Sequence, residues 1–438
     1  MTKNKTQVSI FWFRRDLRLT DNTGLISALQ SKYPVLPIFI FDTEILSKLD
    51  DKADKRVDLI HQMLRCLKSE LEEVGSTLLV LHGKPEIVFE KLFVDYDVKG
   101  IFANRDYEPY ALQRDNSIKN LAESKQVIFQ TNKDQVVFEW NEVQKSDKTP
   151  YTVFTPYSKI WKNKFNEIEN LQTQNELNYS KLLKISSFSM LELSDLGFNQ
   201  TNVVYSKPAV DINCIQEYDK TRNFPALEQG TSMMSVHLRF GTVSVRELVS
   251  IAKQYNEQWL NELIWREFFM TILKHFPKVE DRSFKKQYDE IQWRNSEDEF
   301  AAWCEGRTGF PIVDAGMRQL NETGLMHNRV RMIVASFLVK DLLIDWRWGE
   351  AYFAQKLLDY DLSANNGNWQ WAAGCGCDAA PYFRIFNPTT QTKQYDSELI
   401  YVKRWVTDLN EFSYPQPIVD HAVARERTLT TYKYALNQ

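Results

Sequence analysis

"QVSIFWFRRDLRLTDNTGLISALQ", residues 7–30, joins two periodicities across one charged bend. Its first seven residues form a short, nearly continuous apolar run, which suits a strand buried on both faces. The segment after the bend has helical spacing, and Thr20 or Asp21 is placed to cap its first turn. The alternation then recurs. "VLPIFIF" (35–41) is a second buried strand, and Val57, Ile60, Leu64, Leu67 and Leu71 mark one face of a helix over residues 56–74. "STLLVLHG" (76–83) is a third strand, followed by the helical "KPEIVFEKLFVDY" (84–96). "GIFANRDY" (100–107) and "QVIFQ" (126–130) complete five strands. Apolar strands alternating with amphipathic helices predict a doubly wound parallel-sheet α/β domain over residues 1–131. No G-x-G-x-x-G follows the first strand, so the usual dinucleotide fingerprint is missing.

Residues 132–215 lose this pattern and are expected to connect two domains. From 216 to 438 the spacing is helical, as in "SVRELVSIAKQY" (244–255), "EDEFAAWCEG" (297–306) and "PIVDAGMRQLNETG" (311–324), so the second domain is all-α. The net charge of −4 gives no overall sign of nucleic-acid binding, and any such site must be a local basic patch. Five scattered cysteines do not make a disulfide framework, and Cys375-x-Cys377 lacks zinc spacing; both are expected to be small buried residues, with no metal bound. The N-terminus shows no leader-like apolar core, and no run approaches a membrane span of about 20 apolar residues. A cytoplasmic protein is expected.

Several groups in the helical half carry chemistry. In "WLNELIWREF" (259–268), Trp259, Glu262, Leu263 and Arg266 share a helix face, and Glu262 and Arg266 have the spacing of an i, i+4 ion pair. Trp303 and Trp348 are expected to be core. In "MHNRVRM" (326–332), Asn328, Arg329 and Arg331 stand at a helix start, where cations oppose the macrodipole; an anionic ligand or a buried carboxylate would account for them. Asp359 and Asp361 lie just before Asn365. "FPALEQGTSMMSVHLRFG" (224–241) gathers Thr231, Ser232 and Ser235 in a loop before a helix, a place for a phosphate or for a mere cap.

Five segments together, "FWFRRDLRLTDN", "WLNELIWREF", "RTGFPIVDAGMRQL", "GLMHNRVRMIVASFLVKDLLIDWRWGE" and "NNGNWQWAAGCGCDAAPYFRIFNPTTQ", resemble the photolyase/cryptochrome family, most closely the class I cyclobutane pyrimidine dimer photolyases. The match runs through nearly the whole chain and is densest from 218 to about 405. The resemblance implies FAD in the helical domain, with FADH⁻ as the active form, held by Tyr218, Thr231, Ser232, Met233, Met234, Ser235, Trp259, Arg266, Asn328, Arg331, Asp359, Asp361 and Asn365. Many relatives carry Arg at the position of Met233, so phosphate binding here leans on backbone amides and Arg266. By the same resemblance, Trp369, Trp346 and Trp293 form an electron-transfer chain from flavin to surface. Glu262, Asn328 and Met332 would contact a flipped-out dimer, with Trp265 and Trp371 as its apolar wall. Relatives that repair (6-4) lesions have His where Asn328 and Met332 stand, which favours cyclobutane dimers. Arg222, Arg329, Arg384 and Gln391, with Glu262 and Trp265, match DNA contacts.

In the α/β half, Glu108 within "ANRDYEPYALQRD" matches an antenna contact, whereas Val279–Glu280 replaces the Cys-Lys of folate-binding relatives. A deazaflavin, a second flavin or no antenna stay open. The implied activity is light-dependent repair of dimer-containing DNA by a monomer with no obligatory protein partner. The alternative is a blue-light photoreceptor of the cryptochrome type without repair; its relatives usually carry a long C-terminal extension, and this chain ends soon after "YPQPIVDHAVARERT". A dark flavin oxidoreductase is disfavoured, since nothing resembles a nicotinamide site.

Overall fold

The computed structural model describes residues 5–168 and 178–436. Residues 169–177, inside the expected connector, lie outside the described residues.

The chain divides into two compact units. The first comprises residues 1–139, 167–209 and 234–251, and the second residues 140–166, 210–233 and 252–438. The first unit is built on strands β1 (Gln7–Phe13), β2 (Val35–Asp42), β3 (Leu79–Gly83), β4 (Asp97–Asn104) and β5 (Ile128–Asn132). They pair in the order β3-β2-β1-β4-β5, and every pairing is parallel. β1 and β2 are buried along almost their whole length, which explains their unbroken apolar sequence. The edge strand β5 is mostly half-exposed. Helices α1 (Thr23–Leu29), α2 (Lys55–Glu73) and α3 (Pro85–Asp95) connect the strands as the sequence predicts, and a further helix, α4 (Pro109–Ser124), joins β4 to β5. One expectation is corrected: Asn22, not Thr20 or Asp21, caps α1, its side chain accepting from the Leu25 amide. Asp21 is committed elsewhere, its carboxylate accepting from Arg246 Nε at 2.9 Å and from the Ser244 hydroxyl.

In the second unit the segments that bear on the site are helical: α5 (Phe154–Glu167), α6 (Glu257–His275), α7 (Glu297–Glu305), α8 (Pro311–Thr323), α9 (Asn328–Ser336), α10 (Trp346–Lys356), α11 (Leu362–Ala373) and α12 (His421–Leu436). A single π-turn, Phe337–Asp341, follows α9. Such turns cluster at functional sites. The core of this unit gathers Trp303, Val334, Phe337, Trp346, Phe353 and Trp369. Trp303 is fully buried and Trp348 packs against the core, as expected for both. Gly349 lets α10 approach α11: a Cβ there would lie 2.2 Å from the Trp369 ring. Among the described residues, no helix is long and apolar enough to cross a membrane.

Candidate functional site

Three helices converge on one cavity in the second unit. Asn328, Arg331 and Met332 come from the start of α9, Phe353 from α10, and Asn365, Trp369 and Trp371 from α11, with Asp359 and Asp361 on the turn before it. Local chemistry sets each position. His327 caps α9 through its side chain, which accepts from the Arg329 amide at 3.1 Å. Burial, then the nearby Arg329, Arg331 and Arg222 guanidiniums, push this imidazole down to about 4. Asp361 caps α11 by accepting from the Ala364 amide. Arg331 donates to Asp359 at 2.8 Å and to the Met326 carbonyl at 2.8 Å. The cation at this helix start is therefore met by a carboxylate whose side chain is only 4% exposed.

Asn365 presents one end of its amide to the cavity. Its Nδ2 donates to Glu350 Oε1 at 2.8 Å and to the Glu350 carbonyl at 3.1 Å. Both amide hydrogens are thus engaged, and Oδ1 is left as the acceptor. Burial raises the Glu350 carboxyl above the ordinary range, and its hydrogen bond from Asn365 opposes the rise. Glu350 and Phe353 escape a motif-based reading. Trp346, Gly349, Glu350 and Phe353 follow one another at i, i+3, i+4 and i+7, so an acid on an otherwise apolar stripe was the available signal.

The other expected site residues lie around this cavity or away from it. Trp259 is buried and donates through Nε1 to the Ser232 hydroxyl at 3.2 Å. Thr231 and Ser232 are half-buried, and Met233 is exposed with a left-handed backbone (φ 52°). Met234 is buried and Ser235 exposed. Tyr218 is half-buried with its phenol pushed up by burial, and Arg222 lies 5.4 Å from its ring centre. Glu262 pairs with Arg222 rather than with Arg266, and also accepts from Gln258 at 2.8 Å. Arg266 is half-buried on the same helix.

Trp265 stacks face to face on Phe154, with centroids 3.7 Å apart and planes 4° apart. Phe154, more than a hundred residues upstream, was not foreseen. Trp371 lines the cavity, and the exposed Arg384 stands 5.9 Å from its ring. Arg329 lies 4.4 Å from the Tyr395 ring centre and donates to Asn223 at 2.6 Å. Gln391 is half-buried with its Oε1 unpaired. The ring partners of Trp369 are Phe353 at 5.0 Å and Trp303 at 6.1 Å. Trp346 is buried with Arg347 4.9 Å from its ring, and the partly buried Trp293 meets Tyr432 at 6.0 Å. In the first unit, Glu108 accepts from Arg15 at 2.9 Å and Arg239 at 3.0 Å. Cys375 is buried and Cys377 half-buried, and neither is in a disulfide. No group of three His, Cys, Asp or Glu side chains that could hold a metal occurs among the described residues.

The cavity's donor set suits a flavin. It offers a paired guanidinium and carboxylate, an oriented amide oxygen and an indole edge against a heterocycle with polar and apolar margins. Known proteins agree. Residues 9–176 match the DNA photolyase family, and residues 259–413 match the FAD binding domain of DNA photolyase, which makes this an FAD-binding protein. The deoxyribodipyrimidine photo-lyase of Synechococcus is 35% identical, the match covering 97% of this chain and 96% of that one. A solved class III photolyase from Agrobacterium tumefaciens superposes with a TM-score of 0.86 at 32% identity, covering 100% of this chain and 99% of that one. An archaeal photolyase from Sulfolobus tokodaii, solved with two FAD molecules and implicating a novel light-harvesting cofactor, gives a TM-score of 0.83 at 34% identity, with 98% and 100% covered. The chain belongs to the photolyase/cryptochrome family.

Proposed function

We propose that this chain is a light-driven lyase that splits cyclobutane pyrimidine dimers in DNA. The observation that carries the reading is the cavity itself: Asn328, Met332 and Trp371 line the same space as Arg331, Asp359, Asp361, Asn365 and Trp369. Groups suited to a pyrimidine lesion and groups suited to a flavin therefore share one chamber.

Bound FAD, in its reduced form, supplies the electron that light drives into the dimer. The chain does the rest. Arg331 and Asp359 would hold the flavin's polar edge, and Asn365, fixed by Glu350, would offer its amide oxygen as an acceptor. Ser232 and Trp259 fasten each other beside the 231–235 loop, where backbone amides and Arg266 would hold phosphates. Arg222, Arg329, Arg384 and Gln391 bind the DNA backbone and set its register. The damaged bases leave the duplex, at a cost of a few kcal/mol that is smallest for a lesion already poorly stacked. Glu262 and Asn328 address the dimer's polar edges; Met332, Trp265 and Trp371 pack against its apolar faces. Trp369, Trp346 and Trp293 would carry electrons from the surface toward a bound flavin.

Two accessory assignments complete the reading. A light-harvesting chromophore, where present, belongs to the α/β unit, with Glu108 already ordered by Arg15 and Arg239. The protein acts as a cytoplasmic monomer, a setting in keeping with its five unpaired cysteines. The test is repair of dimer-containing DNA by the chemically reduced protein under blue light, with a dark control. Dimer loss only in the light is the expected result. Stable FAD binding without dimer loss would transfer the chain to the photoreceptor reading.

A further inference from the structure

We propose that Phe154 is a positioning residue for lesion binding: its ring fixes the tilt of Trp265, and its backbone ties that wall of the site to the segment that carries Trp371. The inference rests on the reading of Trp265 and Trp371 as the apolar wall for a flipped dimer. Its basis is a pair of contacts made by one residue. The Phe154 ring lies on Trp265 with centroids 3.7 Å apart and planes 4° apart. The Phe154 amide donates to Asp378 Oδ2 at 3.0 Å. Asp378 follows the end of α11, seven residues after Trp371. Phe154 is the first residue of α5, so its amide has no partner within the helix, and Asp378 supplies one from a distant part of the chain.

The remainder of α5 shows why this position is more than core. Phe154, Tyr157, Trp161 and Phe165 recur at i, i+3, i+7 and i+11 and make one apolar stripe. Tyr157 and Trp161 are each 1% exposed; the first packs on Phe268 of α6 at 5.2 Å, and the second donates through Nε1 to Glu267 Oε1 at 2.5 Å. These two residues fasten α5 to α6. Phe154 and Trp265 meet as a half-buried pair on the same seam, where packing alone asks for little. Two free rings prefer an offset or edge-to-face arrangement, yet these overlap closely and in parallel. The anchored backbone holds one ring over the other. One face of the indole is thereby covered, and Phe269 approaches it at 5.4 Å with planes 29° apart. The indole keeps one orientation before a lesion arrives, so binding does not have to freeze its rotamers. Through Asp378, the same residue relates that orientation to the helix bearing Trp371.

The test measures dissociation constants for dimer-containing and undamaged DNA in the dark, with FAD content and melting temperature as folding controls. In Phe154→Leu the preference for dimer-containing DNA falls by up to about tenfold, the scale of one lost aromatic stack. Phe154→Tyr, which keeps the ring, retains it. Trp265→Leu with Phe154→Leu loses no more preference than Trp265→Leu alone, because the one residue acts through the other. Asp378→Ala leaves both rings in place and removes only the anchor; it lowers the preference in the same direction, and it decides the matter where Phe154→Leu fails to hold FAD. Unchanged preference in either variant that holds FAD, or additive losses in the double variant, overturns the role of Phe154 and leaves the lyase reading standing. An unmodified chain that binds the two DNAs alike overturns the lyase reading itself and this inference with it, so the two failures are told apart by that control.

Discussion

In the proposed mechanism, light-driven activation turns on Trp369. Its ring is packed between Phe353, Trp303 and the bare backbone of Gly349. Trp369→Phe keeps most of this packing, at a cost of about 1–3 kcal/mol or less. It should retain FAD yet bleach slowly or not at all under blue light with an external reductant, while repair by chemically reduced protein continues nearly unchanged. Normal photoreduction in the folded variant would refute its assignment as the nearest donor. Glu262 makes a different prediction. Held by Arg222 and Gln258, it is proposed to stabilise charge that develops on the dimer. Glu262→Ala should keep FAD and damaged-DNA binding but lower the number of dimers split per absorbed photon. An unchanged quantum yield removes the residue from the chemistry.

At the scale of the element, the start of α9 joins stability to pH. The His327 imidazole falls from 6.5 to about 4 on folding, chiefly through burial. Between those values the unfolded chain binds a proton that the folded chain does not, so stability drops as pH falls through the window, by roughly 3 kcal/mol at most. His327→Asn keeps a capping side chain, and its urea-unfolding free energy should change less between pH 7 and pH 4.5. An unaltered difference would show that other groups carry the acid sensitivity. The contact of α10 with α11 is equally specific. Gly349→Ala places a methyl 2.2 Å from the Trp369 ring and 2.6 Å from Leu338, so the helices must part. The expected result is loss of FAD on gel filtration together with a lowered melting temperature, as overpacking typically costs about 1–3 kcal/mol. Retention of both would mean that the Trp369 ring moves freely, which its burial argues against.

For the whole molecule, charge is the instructive quantity. The chain carries a net −4, yet its proposed task requires binding a polyanion. The resolution lies in placement: Arg222, Arg329 and Arg384 all belong to the helical unit, and burial first, with the charges of Arg222 and Arg384 after it, lowers the Arg329 guanidinium. Arg329→Ala should weaken binding to damaged DNA and reduce its salt dependence by about one unit of slope, the effect of one lost phosphate contact. Because Arg329 also donates to Asn223 and lies over Tyr395, a purely structural role predicts weaker binding with the slope unmoved.

The amino-acid sequence by itself determined the parallel α/β domain, the helical domain and the family. Buried strands and amphipathic helices leave local periodicities, and long motifs keep their order along the chain. It also named eight residues that line one cavity, from Asn328 to Trp371. Only the tertiary structure decided the strand order β3-β2-β1-β4-β5, since pairing in a parallel sheet joins segments tens of residues apart. It placed Arg222 rather than Arg266 on Glu262, Phe154 on Trp265, Glu350 on Asn365 and Trp303 against Trp369. Each of these pairs joins separate segments of the chain. Local spacing fixes which face of a helix a side chain occupies, and says nothing of what another helix brings to meet it.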